Sequence, residues 1–394
     1  MLQNASLETS LSNISNQPSA RSPKVLFVLP AFYRNGAVTF SINIAEQLSL
    51  KNMEVEIFAV QQRSVHPQLP HKPIKISTAI RENSSTLKSL PTLLSKLMRS
   101  VSRSDVVILT WENGLLLPSL VAFFFRKPVV AIVQNNLKRS QADYGKKKGT
   151  QMIRRWAYAR AKAIVCTSQD LISTIELEVK RSKIVAISNG INIAQVRALA
   201  QQPSAPWPYV NDDIPFIVGI GRLANQKGFD LLIEAHAKVR RQGIQHRLVL
   251  VGEGEAHRAL LELARDWNVA DSVAFLGFVA NPYPILSQAS LFCLSSRYEG
   301  FGLVVAEAAA LGVPTIATDC VAGPREILAD GQYGDLVETD SAAALSEAIV
   351  NHFQKPKRLL AKSRASMAQI ERLSLKTCGQ KYSRLIHRCI QEGT

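Results

Sequence analysis

The sequence predicts an α/β protein made of two doubly wound, Rossmann-like domains facing each other across a cleft. Three observations predict it. Short Val/Ile/Leu runs alternate with helix-length patterns from end to end, a proline-rich interruption falls at mid-chain, and a basic first half gives way there to an acidic block at residues 201–350. Continuous rather than alternating apolar runs mark parallel strands covered on both faces. Strand–helix alternation is the rhythm of a parallel sheet.

The elements follow in chain order. Residues 1–22 are rich in Ser, Asn and Gln, with no basic start and no apolar run, so a disordered tail is expected rather than a signal peptide. Residues 23–200 form the first domain, with strands expected at Lys24–Leu29, Val55–Val60, Asp105–Leu109, Pro128–Val133, Ala163–Cys166 and Lys183–Ile187. Within it, Gly114–Phe125 (GLLLPSLVAFFF) has 12 residues and contains Pro118. A spanning helix needs about 20 apolar residues, so this stretch reads as a buried helix, with an element dipping into a membrane surface as the alternative. Residues 201–213 hold three prolines without periodicity and form the linker. The second domain, 214–354, has strands expected at Pro215–Gly219, Arg247–Val251, Val273–Leu276, Leu291–Leu294 and Pro314–Thr318, with helical patterns at Gly228–Arg241 and Ala256–Trp267. The final stretch, 355–394, is helical and basic.

The chain has 394 residues and a formal charge of +16. Residues 1–200 hold 27 Lys+Arg against 11 Asp+Glu, residues 201–350 hold 10 against 18, and residues 351–394 hold 10 against 2. The excess points to an anionic partner on the basic side. Lys146-Lys147-Lys148 is the one tight cluster, and no aromatic-interleaved basic motif accompanies it, which disfavours nucleic acid. Cys166, Cys293, Cys320, Cys378 and Cys389 form no C-x-x-C pair and sit by no His cluster, so reduced thiols in a cytosolic protein are expected, with no metal.

Four segments of the second half carry phosphate or sugar chemistry. Gly219-Ile220-Gly221-Arg222-Leu223, followed by Gln226-Lys227-Gly228, ends a strand in glycines and sets two cations about a helix start. Arg222 and Lys227 can both meet a diphosphate. Gly252-Glu253-Gly254 is a second Gly-rich turn, lacking the third glycine of a dinucleotide fingerprint. Glu299-Gly300-Phe301-Gly302-Leu303-Val304-Val305-Ala306-Glu307 places a flexible loop before a helix. The N–H groups near Gly302–Val304 suit a pyrophosphate, and Glu307 leans back toward the loop. Two carboxylates would then meet vicinal hydroxyls of a sugar and a ribose; the alternative is that Glu299 caps the helix and Glu307 is solvated. Arg325, in Cys320–Leu328, is either a third cation or a solvated helix start.

Together these residues resemble the retaining glycosyltransferases of the GT-B fold, family 4 in particular. The resemblance rests on GRL…QKG, VGEG and EGFGLVVAE, which is similar to the family's E-x7-E motif. ATDCVAGPREIL looks like a subgroup of bacterial polysaccharide and lipopolysaccharide glycosyltransferases. The resemblance implies transfer of a sugar from a nucleotide-sugar, a UDP-sugar favoured, to a glycan or lipid-linked acceptor. In that reading Arg222 and Lys227 hold the donor diphosphate, Glu299 contacts the transferred sugar and Glu307 the ribose. Gly221, Gly252, Gly254, Gly300, Phe301, Gly302, Leu303, Val304 and Gly36 line the donor site. No cofactor and no metal are implied, because cations and a helix terminus meet the phosphates. Where many members carry a His facing the reacting sugar this chain has Gln134, and where many have Gly-Gly it has Arg34-Asn35-Gly36. Ser188-Asn189-Gly190 resembles the family's turn ahead of the interdomain region. The final helices are expected to return to the first domain, which would bind the acceptor. The basic side so formed is expected to meet either an anionic acceptor or an inner-membrane surface, with the enzyme in the cytoplasm or peripheral at the inner face of the membrane. The competing readings are a sugar-nucleotide epimerase of the same architecture and a polyanion-binding protein.

Overall fold

The computed structural model describes residues 21–32, 36–62, 74–80, 89–110, 116–134, 148–175, 179–203, 208 and 213–392. The first sheet contains β1 (Lys24–Phe32), β2 (Glu54–Gln62), β3 (Lys75–Ile80), β4 (Val106–Leu109), β5 (Val129–Val133), β6 (Ala163–Cys166) and β7 (Ile184–Ala186). All pairings are parallel, in the order β3-β2-β1-β4-β5-β6-β7. Its helices are α1 (Gly36–Ser49), α2 (Leu90–Arg103), α3 (Leu116–Phe124), α4 (Lys148–Arg160) and α5 (Ile172–Ile175). α6 (Ile193–Ala200) falls inside the 23–200 stretch expected as the first domain, but it buries Ile193 and Val196 among Phe216 and Leu286 of the second domain's core. One face of the sheet buries Phe27, Ile57 and Ile108, the other Leu26, Phe58 and Val107, so consecutive residues serve two cores. That is why the strands read as unbroken apolar runs.

The second sheet contains β8 (Phe216–Ile220), β9 (Arg247–Val251), β10 (Val273–Phe275), β11 (Leu291–Leu294), β12 (Thr315–Thr318) and β13 (Asp335–Val337), ordered β10-β9-β8-β11-β12-β13 and again wholly parallel. The helices that follow are α7 (Phe229–Arg241), α8 (His257–Asp266), α9 (Tyr283–Gln288), α10 (Leu303–Leu311), α11 (Pro324–Ile327), α12 (Ala342–Gln354), α13 (Pro356–Ala368) and α14 (Leu375–Gln391). In each sheet the strand order reverses beside the first strand, between β1 and β4 and between β8 and β11. The crevice outside the carboxyl ends at such a reversal is where open α/β sheets hold ligands.

Three sequence expectations need correction. β3 and β13 were not expected. β3 is an edge strand whose polar side chains stay partly exposed, Lys75 and Ser77 both bonding Glu56 at 2.8 Å, and β13 is only three half-buried residues. Gly114–Phe125 was expected as a buried helix. Its described part buries Pro118, Ser119, Val121 and Ala122 but exposes Leu116, Leu120, Phe123 and Phe124, because α2 and α4 cover one side only. The return of the whole 355–394 stretch is also too broad. Leu359 of α13 is buried in the second domain's core, and Arg358 and Lys362 pair with Asp335 there.

The crossing back comes at Leu373–Leu375. Ile191 N–H donates to the Leu373 carbonyl, and Leu375 N–H to the Ile191 carbonyl, both at 2.9 Å. A Cβ at Gly190 would lie 2.8 Å from Leu375 Cα, so the Asn-Gly turn admits the returning backbone. α14 then packs on α1 and buries Cys378, Tyr382 and Leu385 among Phe27, Ile44 and Leu48. With α6 on the second domain, residues 1–190 and 375–394 carry 30 Lys+Arg against 12 Asp+Glu, and residues 191–374 carry 17 against 19. All five cysteines are buried, and burial pushes the Cys320 and Cys378 thiols up to about 12. The expected tail 1–22 lies outside the described residues except for Arg21 and Ser22, as does most of the expected linker.

Candidate donor-binding site

Two loops at the β8/β11 reversal build the site. The first, after β8, ends in a short helical turn, Asn225–Lys227, closed by Gly228 in the left-handed region (φ 60°). The second follows β11 through Ser295–Glu299. Four hydrogen bonds stitch them together: Arg297 N–H to the Gln226 carbonyl (2.8 Å), Gln226 Nε2 to the Tyr298 carbonyl (3.0 Å), Ser295 Oγ to the Lys227 carbonyl (2.9 Å) and Arg297 Nη1 to the Asn225 carbonyl (2.8 Å). The Arg297 guanidinium also grips Asp230 and Asp340, at 2.6 and 2.8 Å, which holds its own pKa up and the Asp230 pKa below the usual carboxylate range.

The consequence is an ion pair between the half-buried Lys227 Nζ and the buried Glu299 Oε1, at 2.6 Å. Ser296 Oγ donates to the same carboxylate oxygen at 2.6 Å. Glu299 is 5% exposed. The Lys227 stem reaches it by crossing Gly221, where a Cβ would sit 3.3 Å from Cε. Glu299 makes no cap to α10, whose N-cap is Gly302 at φ 82°. That left-handed residue turns the Glu299–Gly302 loop sharply into the helix, so the first N–H groups of α10, at Leu303 and Val304, project from its amino end.

Gly252 (φ 141°) lets β9 end against β8: a Cβ there would overlap the Gly221 carbonyl. Gly254 is equally tight against the Leu223 carbonyl, and Leu223 N–H bonds the Glu253 carbonyl at 2.9 Å. Gly221, Arg222, Gly252, Gly254 and Lys227 therefore share one sheet edge. Arg222 is exposed there. Gly300 and Phe301 complete the turn, Phe301 buried and Gly300 accepting at its carbonyl from Thr167 Oγ1 of the first domain at 3.1 Å.

Glu307, a turn into α10, is held by a residue that sequence reasoning missed. Tyr283 of α9 donates its hydroxyl to Glu307 Oε1 at 3.2 Å. Burial pushes the Glu307 carboxyl up to about 7 even though the tyrosine bond favours the ionised form, and burial with the neighbouring carboxylate raises the Tyr283 phenol. Nothing local marks Tyr283, because Asn281-Pro282-Tyr283-Pro284 reads as a turn. Arg325 belongs to the surface: it pairs with Asp319 and, at 3.4 Å, Asp330.

The first domain closes over this edge. Glu326 of α11 bonds Ser188 Oγ and accepts from Gln169 N–H at 3.0 Å, while Ala322 is buried among the first domain's residues. Gln134 is half-buried just past β5. Gly36 opens α1, while Arg34, Asn35, Asn135 and Asn136 lie outside the described residues. Among the described residues no group of three or more His, Cys, Asp or Glu side chains gathers as a metal site, and no helix is long and apolar enough to cross a membrane.

Comparison with known proteins gives this geometry its relatives. Residues 34–195 match the family model Glycosyltransferase Family 4, and residues 207–372 match Glycosyl transferases group 1. The chain is 30% identical over 196 residues to the N-acetylgalactosamine-N,N'-diacetylbacillosaminyl-diphospho-undecaprenol 4-alpha-N-acetylgalactosaminyltransferase of Campylobacter jejuni, covering 49% of this chain and 51% of that protein. It is 32% identical over 196 residues to the lipopolysaccharide core biosynthesis glycosyltransferase LpsE of Rhizobium meliloti, covering 49% and 54%. The matches thus span about half the length of these curated relatives. In fold, Anabaena Alr3699/HepE in complex with UDP and glucose superposes with a TM-score of 0.78 at 20% identity, over 93% of this chain and 100% of that one. The lipopolysaccharide glycosyltransferase WaaG superposes with a TM-score of 0.71 at 16% identity, over 92% and 99%. With a family 4 segment ahead of a group 1 segment, each folded as a parallel Rossmann-like sheet, the chain belongs to the glycosyltransferases of the GT-B fold.

Proposed function

We propose that the protein is a retaining glycosyltransferase that moves a sugar from a nucleotide-sugar, a UDP-sugar favoured, to a glycan or lipid-linked acceptor in surface polysaccharide biosynthesis. The observation that carries this reading is the Lys227–Glu299 pair at the β8/β11 reversal, beside the amino end of α10. The HepE structures with UDP and UDP-glucose support the donor class, and the diphospho-undecaprenol named for the Campylobacter relative supports a lipid-linked acceptor.

The donor diphosphate enters between Arg222, Lys227 and the first N–H groups of α10. Lys227 then turns from Glu299 to the phosphate, and Glu299 accepts hydrogen bonds from the sugar hydroxyls. Glu307, oriented by Tyr283, accepts from the ribose. As the bond from the anomeric carbon to the phosphate oxygen breaks, negative charge grows on the diphosphate, where two cations and a helix terminus are already in place. The acceptor oxygen bonds the anomeric carbon on the face the phosphate leaves. The departing phosphate oxygen takes the acceptor proton, so Gln134, which cannot titrate, acts as a hydrogen-bonding side chain only. The cations supply the charge that a divalent metal would otherwise supply, and no metal is required. The basic side of the molecule, with 30 Lys+Arg against 12 Asp+Glu, faces an anionic acceptor or the membrane surface that carries it.

The test is a panel of UDP-, GDP- and ADP-sugars read first by thermal shift and then by NMR of the transferred or released sugar. Stabilisation by one nucleotide class and an unchanged anomeric configuration are expected. No stabilisation by any nucleotide-sugar, or epimerisation without transfer, would overturn the proposal.

A further inference from the structure

The Glu299–Gly302 loop is gripped from both domains. On the second domain's side, α11 starts at Gly323 (φ 106°), where a Cβ would overlap the Phe301 carbonyl oxygen, so the start of this helix lies against the loop. Glu326 of α11 accepts from Ser188 Oγ and, at 3.0 Å, from Gln169 N–H of the first domain. Arg372 holds the same helix from just before the return crossing, donating to the Glu326 carbonyl at 3.1 Å and to the Ile327 carbonyl.

Thr167, the residue after β6, supplies the contact from the first domain. It is fully buried, and its hydroxyl lies 3.1 Å from the Gly300 carbonyl and 3.3 Å from the Val133 carbonyl. A hydroxyl has one hydrogen and donates to one of them at a time. The Val133 carbonyl already accepts the Thr167 N–H at 3.2 Å, so it is served without the hydroxyl. When the second domain withdraws, Val133 takes the hydroxyl back and no buried donor is stranded. The contact with Gly300 is therefore one the molecule can make and release. The two carbonyls also flank the two side chains expected at the sugar: Val133 precedes Gln134, and Gly300 follows Glu299.

We propose that Thr167 is a positioning residue for the transfer step. It acts through the Gly300 carbonyl to set the Glu299 carboxylate at the donor sugar when the domains close, and Glu326 is the anchor that brings Gly300 within its reach. This rests on the donor reading above. The peptide after Gly300 is planar, so fixing its carbonyl fixes the orientation of the loop next to Glu299. Valine in place of Thr167 would fill the same volume and leave the loop untethered, whereas serine would keep the tether. Arg222, Lys227 and the first N–H groups of α10 all belong to the second domain and meet the diphosphate without Thr167. Its loss therefore falls on the alignment of the reacting sugar, where small displacements slow the chemical step, and not on nucleotide binding.

The test measures UDP release by the full chain from UDP-glucose, UDP-galactose and UDP-N-acetylglucosamine, and follows the one the parent turns over fastest. Thr167→Val should lower kcat at least tenfold while KM and the calorimetric affinity for UDP stay within twofold of the parent. Thr167→Ser should return kcat to within threefold. Amide hydrogen exchange without donor should quicken at least fivefold across residues 300–304 in Thr167→Val and in Glu326→Ala, and keep the parent rate in Thr167→Ser. Exchange needs no nucleotide, so failure here is separable from failure of the proposed function. The proposal is overturned if Thr167→Val keeps the parent kcat, if its kcat and UDP affinity fall together, or if Thr167→Ser is as impaired as Thr167→Val. Unchanged exchange across residues 300–304 in Thr167→Val would overturn it too.

Discussion

Replacing Lys227 by Met keeps the stem that crosses Gly221 but removes the charge beside Glu299. At 2.6 Å and an effective dielectric near 20, the two charges attract by about 6 kcal/mol. Most of that gain offsets the cost of taking both groups out of water. Removing one partner is different, because it strands the other: Glu299 is 5% exposed and would keep the Ser296 hydroxyl as its remaining partner within the pair's network. Lys227→Met should therefore destabilise the second domain by roughly 3 kcal/mol, and Glu299→Gln by about 2–3 kcal/mol. The double variant K227M/E299Q leaves neither charge buried and should return to within about 1 kcal/mol of the parent, a coupling of at least 2 kcal/mol. Equilibrium urea unfolding, followed through Trp267 in the second domain, reads these values. Calorimetry with UDP separates function from folding, since donor affinity should fall in all three variants, including the stable double one. If the single losses add within about 0.5 kcal/mol in the double variant, the pair does not form and the reasoning fails.

Other consequences are as specific. His236 and His246 share a hydrogen bond at 2.8 Å in the second domain's interior, and His236 also bonds Ser272 Oγ at 2.9 Å. Burial, helped by neighbouring cations, holds His236 down at about 2 and His246 at about 4. The unfolded chain binds protons to both from about 6.5 downward while the folded chain does not, so stability falls below pH 6.5. The slope is up to about 1.4 kcal/mol per pH unit for each histidine, down to about pH 4 and thereafter for His236 alone; a melting temperature flat from pH 7 to 5 would contradict this. Glu307 should ionise near pH 7 and accept from ribose hydroxyls best when ionised, so the donor KM should fall as pH rises from 6 to 8. Tyr283→Phe should raise that KM several-fold with little change in kcat; an equal loss in kcat would show that Tyr283 does more than orient Glu307. Transfer should persist in excess EDTA, and a stopped reaction rescued by added Mg²⁺ would refute a metal-free site. Gly252→Ala must place a Cβ against the Gly221 carbonyl at φ 141°, and should cost at least about 2 kcal/mol in urea unfolding.

Much of this architecture is legible in the sequence because both faces of each central strand are buried. Val106–Leu109, Val129–Val133 and Ala163–Cys166 carry no polar residue to break the signal. β3 and β13 escape for the opposite reason, being edge strands with one wet side. Composition also misplaces the return of the chain, since α13 and α14 are both basic helices. What separates them is the burial of Leu359 in one core and Tyr382 in the other, a three-dimensional fact. At the site, the motif residues were visible, but the joining of Lys227 to Glu299 across 72 residues was not. It follows from β8 and β11 being neighbours. Tyr283 and Thr167 have no motif around them and become apparent only when α9 meets α10 and β6 meets the Glu299–Gly302 loop.

The central claim is that Arg222, Lys227 and the amino end of α10 form a diphosphate site that releases Glu299 to a sugar. Calorimetric titration of the parent with UDP-glucose, UDP and uridine tests it most directly. UDP-glucose and UDP should bind at least tenfold more tightly than uridine, an advantage that Arg222→Ala and K227M/E299Q should each cut at least tenfold. Equal affinity for UDP and uridine, or an advantage untouched by both variants, would contradict the account.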